Sequence, residues 1–326
     1  MSAAPTGLWT GAPGPAKLPA MQPPRPVPER QPAEGPLPET IPESLVPVFH
    51  AVGSAAGTGY KDAVSAERLD RALAWLAGRY RVLPLDELLR RAADGRSLAG
   101  LAALTFDDNH RSVAEIALPL AAARGLPATW FLMTDPLGGR PFWRRQLTRL
   151  LARGEEAAFR AFLAAEAPAL AEALRPGRLY KDSKDPTRVA PEAMAAALQG
   201  FSGESDPDLV TPGEVAALAL PGLSLGNHSA RHLVMAGLSA ERQAQEVTVA
   251  AEALSHLPQP KSRLFAVPFG GPGTYDAATL AAAAAAGLAG VAVTGDGLVA
   301  ADDLSAHPLL AGGRGLVRSL AGALPV

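Results

Sequence analysis

Leu104-Thr105-Phe106-Asp107-Asp108-Asn109-His110-Arg111-Ser112 is the stretch from which the architecture is read. Its left flank, from Gly100 to Phe106, is short, apolar and rich in β-formers, and its right flank, Ser112 to Arg124, has the composition of a helix. A strand therefore ends, and a helix begins, at two adjacent carboxylates. In α/β folds ligands gather outside the carboxyl ends of the strands. Successive side chains at a strand end point to opposite sides, so one Asp can face a metal ion while its neighbour faces a reacting water. The same residues also suit a helix N-cap, where an Asp accepts from free backbone N–H groups. A cap needs one Asp, and here there are two.

A second stretch, Leu223-Ser224-Leu225-Gly226-Asn227-His228-Ser229-Ala230-Arg231-His232, repeats the design: a short apolar run that ends in polar residues. One helical turn would put His228 and His232 on the same face. Two neutral imidazoles and a carboxylate suit zinc or a similar divalent ion, and three protein ligands leave a position for water. Two surface histidines at a helix start would give the same spacing. Two strand-end constellations of complementary chemistry favour the metal.

The chain has 326 residues, enough for one large α/β domain or two smaller ones. With 30 basic and 32 acidic residues the net charge is −2, which gives no electrostatic case for nucleic acid or an anionic membrane as partner. There is no Cys, so disulfides and thiolate metal sites are excluded. Met1 to Gly14 has neither the basic start nor the apolar core of a secretory signal, and a cytoplasmic location is expected. The most apolar run, Ala277 to Val293, is mostly Ala, contains Gly287 and Gly290, and reads as a helix followed by a strand, so no membrane span is expected.

Residues 1–44 are rich in Pro and nearly free of large apolar residues, which predicts a disordered or extended arm. Residues 45–326 read as one domain with a helical insertion at about 135–207. Leu45 to His50 is a strand. Ser65 caps a helix to Arg79, with Leu69, Leu73 and Leu76 on one face. Val82-Leu83, Ala128 to Met133, Arg263 to Pro268 and Gly290 to Thr294 are further strands, and Leu85 to Ala93, Leu238 to Leu257 and Asp276 to Ala286 further helices, Gln243 and Glu246 facing outwards. Within the insertion, Phe142 to Ala152 and Glu155 to Leu174 are helical. Lys181 and Lys184 in the Tyr180 to Arg188 segment read as a solvated loop or as contacts for an anionic substrate group. Strands alternate with helices six or seven times, which argues for a parallel sheet or barrel with the site at the strand ends.

Three motifs in this order resemble the polysaccharide deacetylases, the NodB-homology group or carbohydrate esterase family 4. They are Thr105-Phe106-Asp107-Asp108, His228-Ser229-x-x-His232 and Ala266-Val267-Pro268-Phe269-Gly270, preceded by an opening strand, Val46 to His50, that is similar to the family's own. The resemblance implies an α/β fold, a distorted (β/α) barrel of about seven strands, and a divalent metal, usually zinc. It implies Asp108, His228 and His232 as metal ligands, Asp107 as general base and the backbone N–H of Phe269 as an oxyanion donor. The implied reaction removes an N-acetyl group from an amino sugar, with metal-activated water attacking the amide. Metal polarisation lowers the pKa of water from about 15.7 toward 7, and a positioned carboxylate contributes roughly 10²–10⁴-fold.

The chain departs from the family at several places. Asn109 stands where the family has Gly, and Asn tolerates the positive φ expected there. His110 replaces an aromatic. No Arg precedes Pro268 at the expected place, and no Trp follows Trp143. Leu304-Ser305-Ala306-His307 has the spacing of the fifth motif and makes His307 the candidate general acid. His50, Asn109, His110 and Pro268 are candidate substrate contacts. The expected partner is a carbohydrate or another N-acetylated small molecule. Two other functions fit the same scaffold: hydrolysis of a non-sugar amide or imide, and non-catalytic carbohydrate binding. Asp107 argues against the second, because a binder needs no base.

Overall fold

The computed structural model describes residues 44–54, 58–60, 63–203, 206–294 and 314–316. The Pro-rich arm lies outside them up to Ser44, as do His307 and its motif. Ten strands are present among the described residues: β1 (Ser44–Leu45), β2 (Val48–Phe49), β3 (Arg81–Val82), β4 (Leu101–Ala102), β5 (Leu104–Asp107), β6 (Ala128–Leu132), β7 (Leu223–Asn227), β8 (Lys261–Ala266), β9 (Gly290–Thr294) and β10 (Arg314–Leu316). The main sheet has seven strands in the order β10-β9-β8-β7-β6-β5-β2, and a small sheet runs β1-β4-β3. Neighbouring strands are parallel except for the β9–β10 pair. The expected distorted (β/α) barrel is present as an open, mostly parallel half-barrel.

Each of the two expected N-terminal strands is in fact a pair. Leu45 to His50 divides into β1 and β2, and Gly100 to Phe106 into β4 and β5, each pair sharing its strands between the two sheets. The break falls at Pro47, which has no N–H for the ladder. Its carbonyl still accepts from the Thr105 N–H (3.1 Å) and hydroxyl (2.7 Å), while Ala103 N–H donates to Leu45 (3.0 Å). The chain thus changes sheet at the same level on both strands, and β5, between β2 and β6, runs on to the Asp pair.

The sheet is buried on both faces, as a parallel sheet requires. On β8, Leu264 and Ala266 join the inner core with Leu104, Phe106, Trp130 and Leu225, whereas Phe265 and Val267 pack with Met235, Val247 and Val291 on the opposite side. That alternation follows from the two-residue period of a strand. The Ala66–Arg79 helix closes the inner core with Leu69, Leu73 and Leu76, and Ser65 caps it by accepting from Arg68 N–H (3.1 Å). Gly226 pairs with Phe131 across β6–β7, and a Cβ there would lie 2.3 Å from the phenyl ring.

Three local expectations are corrected. The segment after Ser112 opens as a π-helix, Val113–Ala117, before the α-helix Leu118–Ala123. Pro119 has no N–H to return to Glu115, and Leu118 N–H reaches back five residues to Val113. The expected Glu155 to Leu174 helix is broken at Ala167 by Pro168, leaving Glu156–Glu166 and Pro168–Ala173. Gln243 and Glu246 of the Ala240–Ser255 helix are buried, not outward. Thr279 hydroxyl donates to the Gln243 amide oxygen (2.5 Å), and Glu246 accepts from the Arg231 backbone (2.8 Å) and guanidinium (2.7 Å). Both of these buried side chains are therefore bonded, as burial demands.

The insertion does not stand apart. Phe142, Trp143, Leu147, Phe159, Leu163 and Met194 share a core with Ala51, Tyr60, Met133 and Leu233 of the barrel. Its helices include Trp143–Ala152 and Pro191–Ser202, the latter not anticipated from the sequence. The barrel residues in this shared core lie just past the ends of β2, β6 and β7, so the insertion covers the strand ends where the site forms.

Candidate metal and active site

Among the described residues, four non-glycine residues have left-handed backbone: Asp108 (φ 63°), Ser229 (φ 67°), His232 (φ 57°) and Phe269 (φ 63°). All four belong to the three motifs. Such conformations cost about 1–3 kcal/mol each and persist only where the surroundings hold them.

At Asp108 the restraints come from β6. Trp130 indole N–H donates to the Asp108 carbonyl (2.6 Å). The Asn109 amide donates to the Met133 carbonyl (2.8 Å) and accepts from the Met133 N–H (2.9 Å). The positive φ expected at Asn109 is one residue earlier, and both ends of the Asn109 amide are spent on β6. The turn at Asp108 also defeats simple alternation. Instead of pointing apart, both carboxylates approach His228, whose Nε2 lies 3.8 Å from Asp107 Oδ2 and 3.5 Å from Asp108 Oδ1.

His228 to His232 is a loop, not the helical turn expected. His228 N–H still pairs with Leu132 (3.0 Å), and the chain then reverses through the left-handed Ser229. Ser229 N–H donates to the Asn227 side chain (2.9 Å), and Ser229 Oγ accepts from His232 N–H (2.8 Å). Glu246 holds Arg231, and Trp143 indole N–H donates to the His232 carbonyl (3.1 Å). The loop brings the two imidazoles to 4.8 Å between centroids, edge to face.

Asp108, His228 and His232, all buried, each offer a donor atom within 4.8 Å of the others. His232 Nε2 is 3.6 Å from Asp108 Oδ1. Tetrahedral zinc bonds of about 2.0–2.2 Å set ligand atoms roughly 3.3–3.6 Å apart, and the 3.5 and 3.6 Å separations match that edge. Neither Asp108 oxygen has a hydrogen-bond partner among the described residues, an expensive arrangement for a buried carboxylate that no cation holds. His228 Nδ1–H donates to the Ala266 carbonyl (2.7 Å), which leaves Nε2 as the free lone pair, the usual outer-shell support of a ligating His. Burial keeps the His232 imidazole neutral, well below the ordinary histidine range, although Asp108 opposes it. Burial pushes the Asp108 carboxyl up, but the polar groups around it, His232 and His228 foremost, outweigh it and hold it below the carboxylate range. The donor set therefore fits a divalent cation.

The remaining expected residues surround this centre. Phe269 stands with its ring 4.7 Å from that of His232, and Pro268 beside it is buried. Thr294 fixes the Phe269 turn by donating its hydroxyl to the Phe269 carbonyl (2.7 Å). His50 stacks on Tyr60 at 6.1 Å, and His110 meets the same ring edge-on at 5.7 Å. His110 shares a hydrogen bond with Ser112 Oγ (2.7 Å), and burial, reinforced by Arg145, lowers its pKa to about 4.

Residues that the sequence reading missed come mostly from the insertion. Arg144 brings Nη1 to 3.8 Å from Asp108 Oδ2 and lies over the rings of Tyr60 (5.8 Å) and Phe269 (5.5 Å). Tyr60 is buried, and burial followed by the Asp108 charge keeps its phenol protonated. Tyr180 completes the group, and beside it stands Lys184, which the sequence offers as a solvated-loop residue or a contact for an anionic substrate group. Helical periodicity identifies the Trp143–Ala152 helix but does not say which of Arg144, Arg145 and Arg149 turns to the site. Arg145 also lies 5.8 Å from the Tyr60 ring, but its ion pairs are with Asp206 (3.1 Å) and Asp208 (2.8 Å) and not with Asp108.

Residues 186–291 match the model of the family "Polysaccharide deacetylase". The matched third holds His228, His232, Pro268 and Phe269 but not Asp107 or Asp108, which the fold brings to it. The match bears out the resemblance drawn from the motifs: the chain carries the pattern of the polysaccharide deacetylases, hydrolases that take N-acetyl groups from carbohydrates. Among solved structures, the Streptococcus pyogenes deacetylase PplD in complex with acetate is 17% identical, over 76% of this chain and 82% of that one, with a TM-score of 0.48. The de-N-acetylase of Aggregatibacter actinomycetemcomitans is 15% identical over 76% and 86%, TM-score 0.46, and IcaB from Ammonifex degensii 17% over 77% and 83%, TM-score 0.45. Likeness at this level adds nothing to the strand order and site geometry. No curated protein matches the chain. Among the described residues no helix is long and apolar enough to cross a membrane.

Proposed function

We propose that this protein is a metal-dependent hydrolase that removes N-acetyl groups from an amino sugar, in a polysaccharide, an oligosaccharide or a sugar-bearing intermediate. The observation that carries the reading is the convergence of Asp108, His228 and His232, with Asp107 at 3.8 Å from His228, on one buried spot at the strand ends. Asp108, His228 and His232 would hold the ion, with zinc the best match to two imidazoles and a carboxylate. A bound divalent ion supplies polarisation of the amide carbonyl and a more acidic water. Asp107 takes the proton of that water as its oxygen bonds to the carbonyl carbon. The Phe269 N–H donates to the oxygen that gains charge. The C–N bond then breaks, and the departing nitrogen needs a proton to leave as an amine. His307 is the candidate donor. Acetate and the free amino sugar are the products. His50, His110 and Pro268, close to Tyr60 and Phe269, are the candidate sugar contacts.

The test is metal content after gentle purification, measured with acetate release from a panel of N-acetylated sugars. About one zinc per chain, with acetate released, supports the reading. His228→Ala is expected to lose both. Zinc without acetate from any sugar would move the function to another amide or imide. Failure to hold zinc even when it is supplied would remove the ligand set.

A further inference from the structure

Asp108 divides its two oxygens between different partners. Oδ1 lies 3.5 Å from His228 Nε2 and 3.6 Å from His232 Nε2, and so completes the candidate donor set. Oδ2 is the oxygen that meets the insertion: Nη1 of Arg144 lies 3.8 Å from it. A carboxylate can hold a divalent ion through one oxygen or through both. Here the imidazoles come nearest to one oxygen and the guanidinium comes nearest to the other.

Arg144 is held in place from several sides. It is the second residue of the Trp143–Ala152 helix, and Trp143 before it donates to the His232 carbonyl (3.1 Å), so the start of this helix is tied to the loop that carries His232. The Arg144 side chain is 17% exposed. Its guanidinium lies over the rings of Tyr60 (5.8 Å) and Phe269 (5.5 Å), and Nη2 donates to the Tyr180 hydroxyl (3.4 Å). Among the described residues Asp108 is the one carboxylate in ion-pair range of Arg144, whereas Arg145 and Arg149 on the same helix both reach Asp206. A buried charge needs a partner, and burial spares this pair the screening that makes surface pairs weak.

We propose that Arg144 is a positioning residue of the metal centre: it engages Oδ2 of Asp108, so that Asp108 offers the ion Oδ1 alone and the position for water stays open. This rests on Asp108, His228 and His232 as the ligand set. Three single-atom ligands leave a fourth position on a tetrahedral ion, and a carboxylate free to turn both oxygens inward would crowd it. The guanidinium also repels a cation, so its loss is not expected to release the metal. The cost falls on turnover, by about 10–100-fold, the usual effect of removing an outer-shell partner. The insertion is then a working part of the site and not only its cover.

The test is cobalt substitution, because the visible bands of cobalt(II) are strong in four-coordinate sites and weaken when a fifth ligand binds. Spectra are taken on the full chain loaded with cobalt, and kcat and KM for N-acetylated sugars on the zinc-loaded chain. Wild type is compared with Arg144→Met, which keeps the apolar packing on Tyr60 and Phe269, with Arg144→Gln, and with Arg144→Lys, which keeps the charge. Circular dichroism establishes which variants are folded. The uncharged variants should retain one metal per chain, lose band intensity and lose about 10–100-fold in kcat with KM little changed. Arg144→Lys should recover most of both. Wild-type bands in a folded uncharged variant, even one with low kcat, or loss of metal from it, would overturn the inference and leave the ligand set standing. A wild-type chain that takes up neither cobalt nor zinc would remove the ligand set itself. The spectra carry the test even if no sugar releases acetate, so failure of the deacetylase reading is seen separately.

Discussion

Asn109→Ala separates two roles for one residue. The sequence makes Asn109 a candidate substrate contact, while the structure spends its amide on the two backbone groups of Met133 (2.8 and 2.9 Å). Alanine removes both bonds and strands a buried N–H and a buried C=O. Each stranded group costs about 1–3 kcal/mol, so the variant should lose about 2–6 kcal/mol. That is a large share of the roughly 5–15 kcal/mol typical of a folded protein. Urea unfolding followed by circular dichroism measures it as a shift in midpoint at an unchanged slope. The Asp108 turn loses a restraint as well, so zinc affinity, measured by competition with a chromogenic chelator, should fall with stability. If unfolding moves by less than about 0.5 kcal/mol, the level of an ordinary surface change, while KM for the sugar rises, then Asn109 contacts substrate and the strap across β5 and β6 is not what it does.

Other outcomes follow from the same geometry. Asp107→Asn should keep stoichiometric zinc but lower kcat by roughly 10²–10⁴-fold, as removal of a general base does; unchanged turnover would end that assignment. Glu246→Ala should weaken zinc binding by about 10–100-fold, the usual effect of losing an outer-shell support, because Glu246 holds the backbone and guanidinium of Arg231 next to His232. Competition with a chelator reads this, and wild-type affinity would place the loop's rigidity elsewhere. Gly226→Ala puts a methyl 2.3 Å from the Phe131 ring and should cost about 1–3 kcal/mol of stability by overpacking; a variant as stable as wild type in thermal unfolding would contradict this. Stripping zinc with EDTA should lower the thermal midpoint, since zinc at 100 times its Kd contributes about 2.7 kcal/mol, and restored zinc should recover it.

The site was legible because its chemistry sits in short motifs at strand ends. Asp107, Asp108, His228, His232 and Phe269 lie together at the strand ends, and β5 and β8 end within two residues of their expected C-terminal limits, although β5 starts four residues later than expected. The conformation between them was not legible. Spacing made His228 to His232 a helical turn, whereas Ser229 and His232 are left-handed, and Ser229, Asn227 and Trp143 hold them so. Outward faces were assigned to Gln243 and Glu246 because they are polar, but Thr279 and Arg231 meet them inside. The insertion was read as helical, yet Arg144 gives no periodic signal that separates it from Arg145, one residue away and turned to another partner. Local pattern reports what a segment is. Which long side chain reaches a centre built by segments a hundred residues away is decided by packing.

The candidate ion-holding set is divided between the ends of β5 and β7, and the two strands do not pair, because β6 lies between them. The stretch that carries the family pattern contains both imidazoles but not the carboxylate. A fragment of that stretch, or a chain in which β6 has docked out of step, would own two-thirds of a ligand set and hold an ion poorly. Under the proposed function, metal capture would work as an inspection step for the finished molecule: an ion retained tightly would certify that three strands, translated far apart in time, have settled side by side.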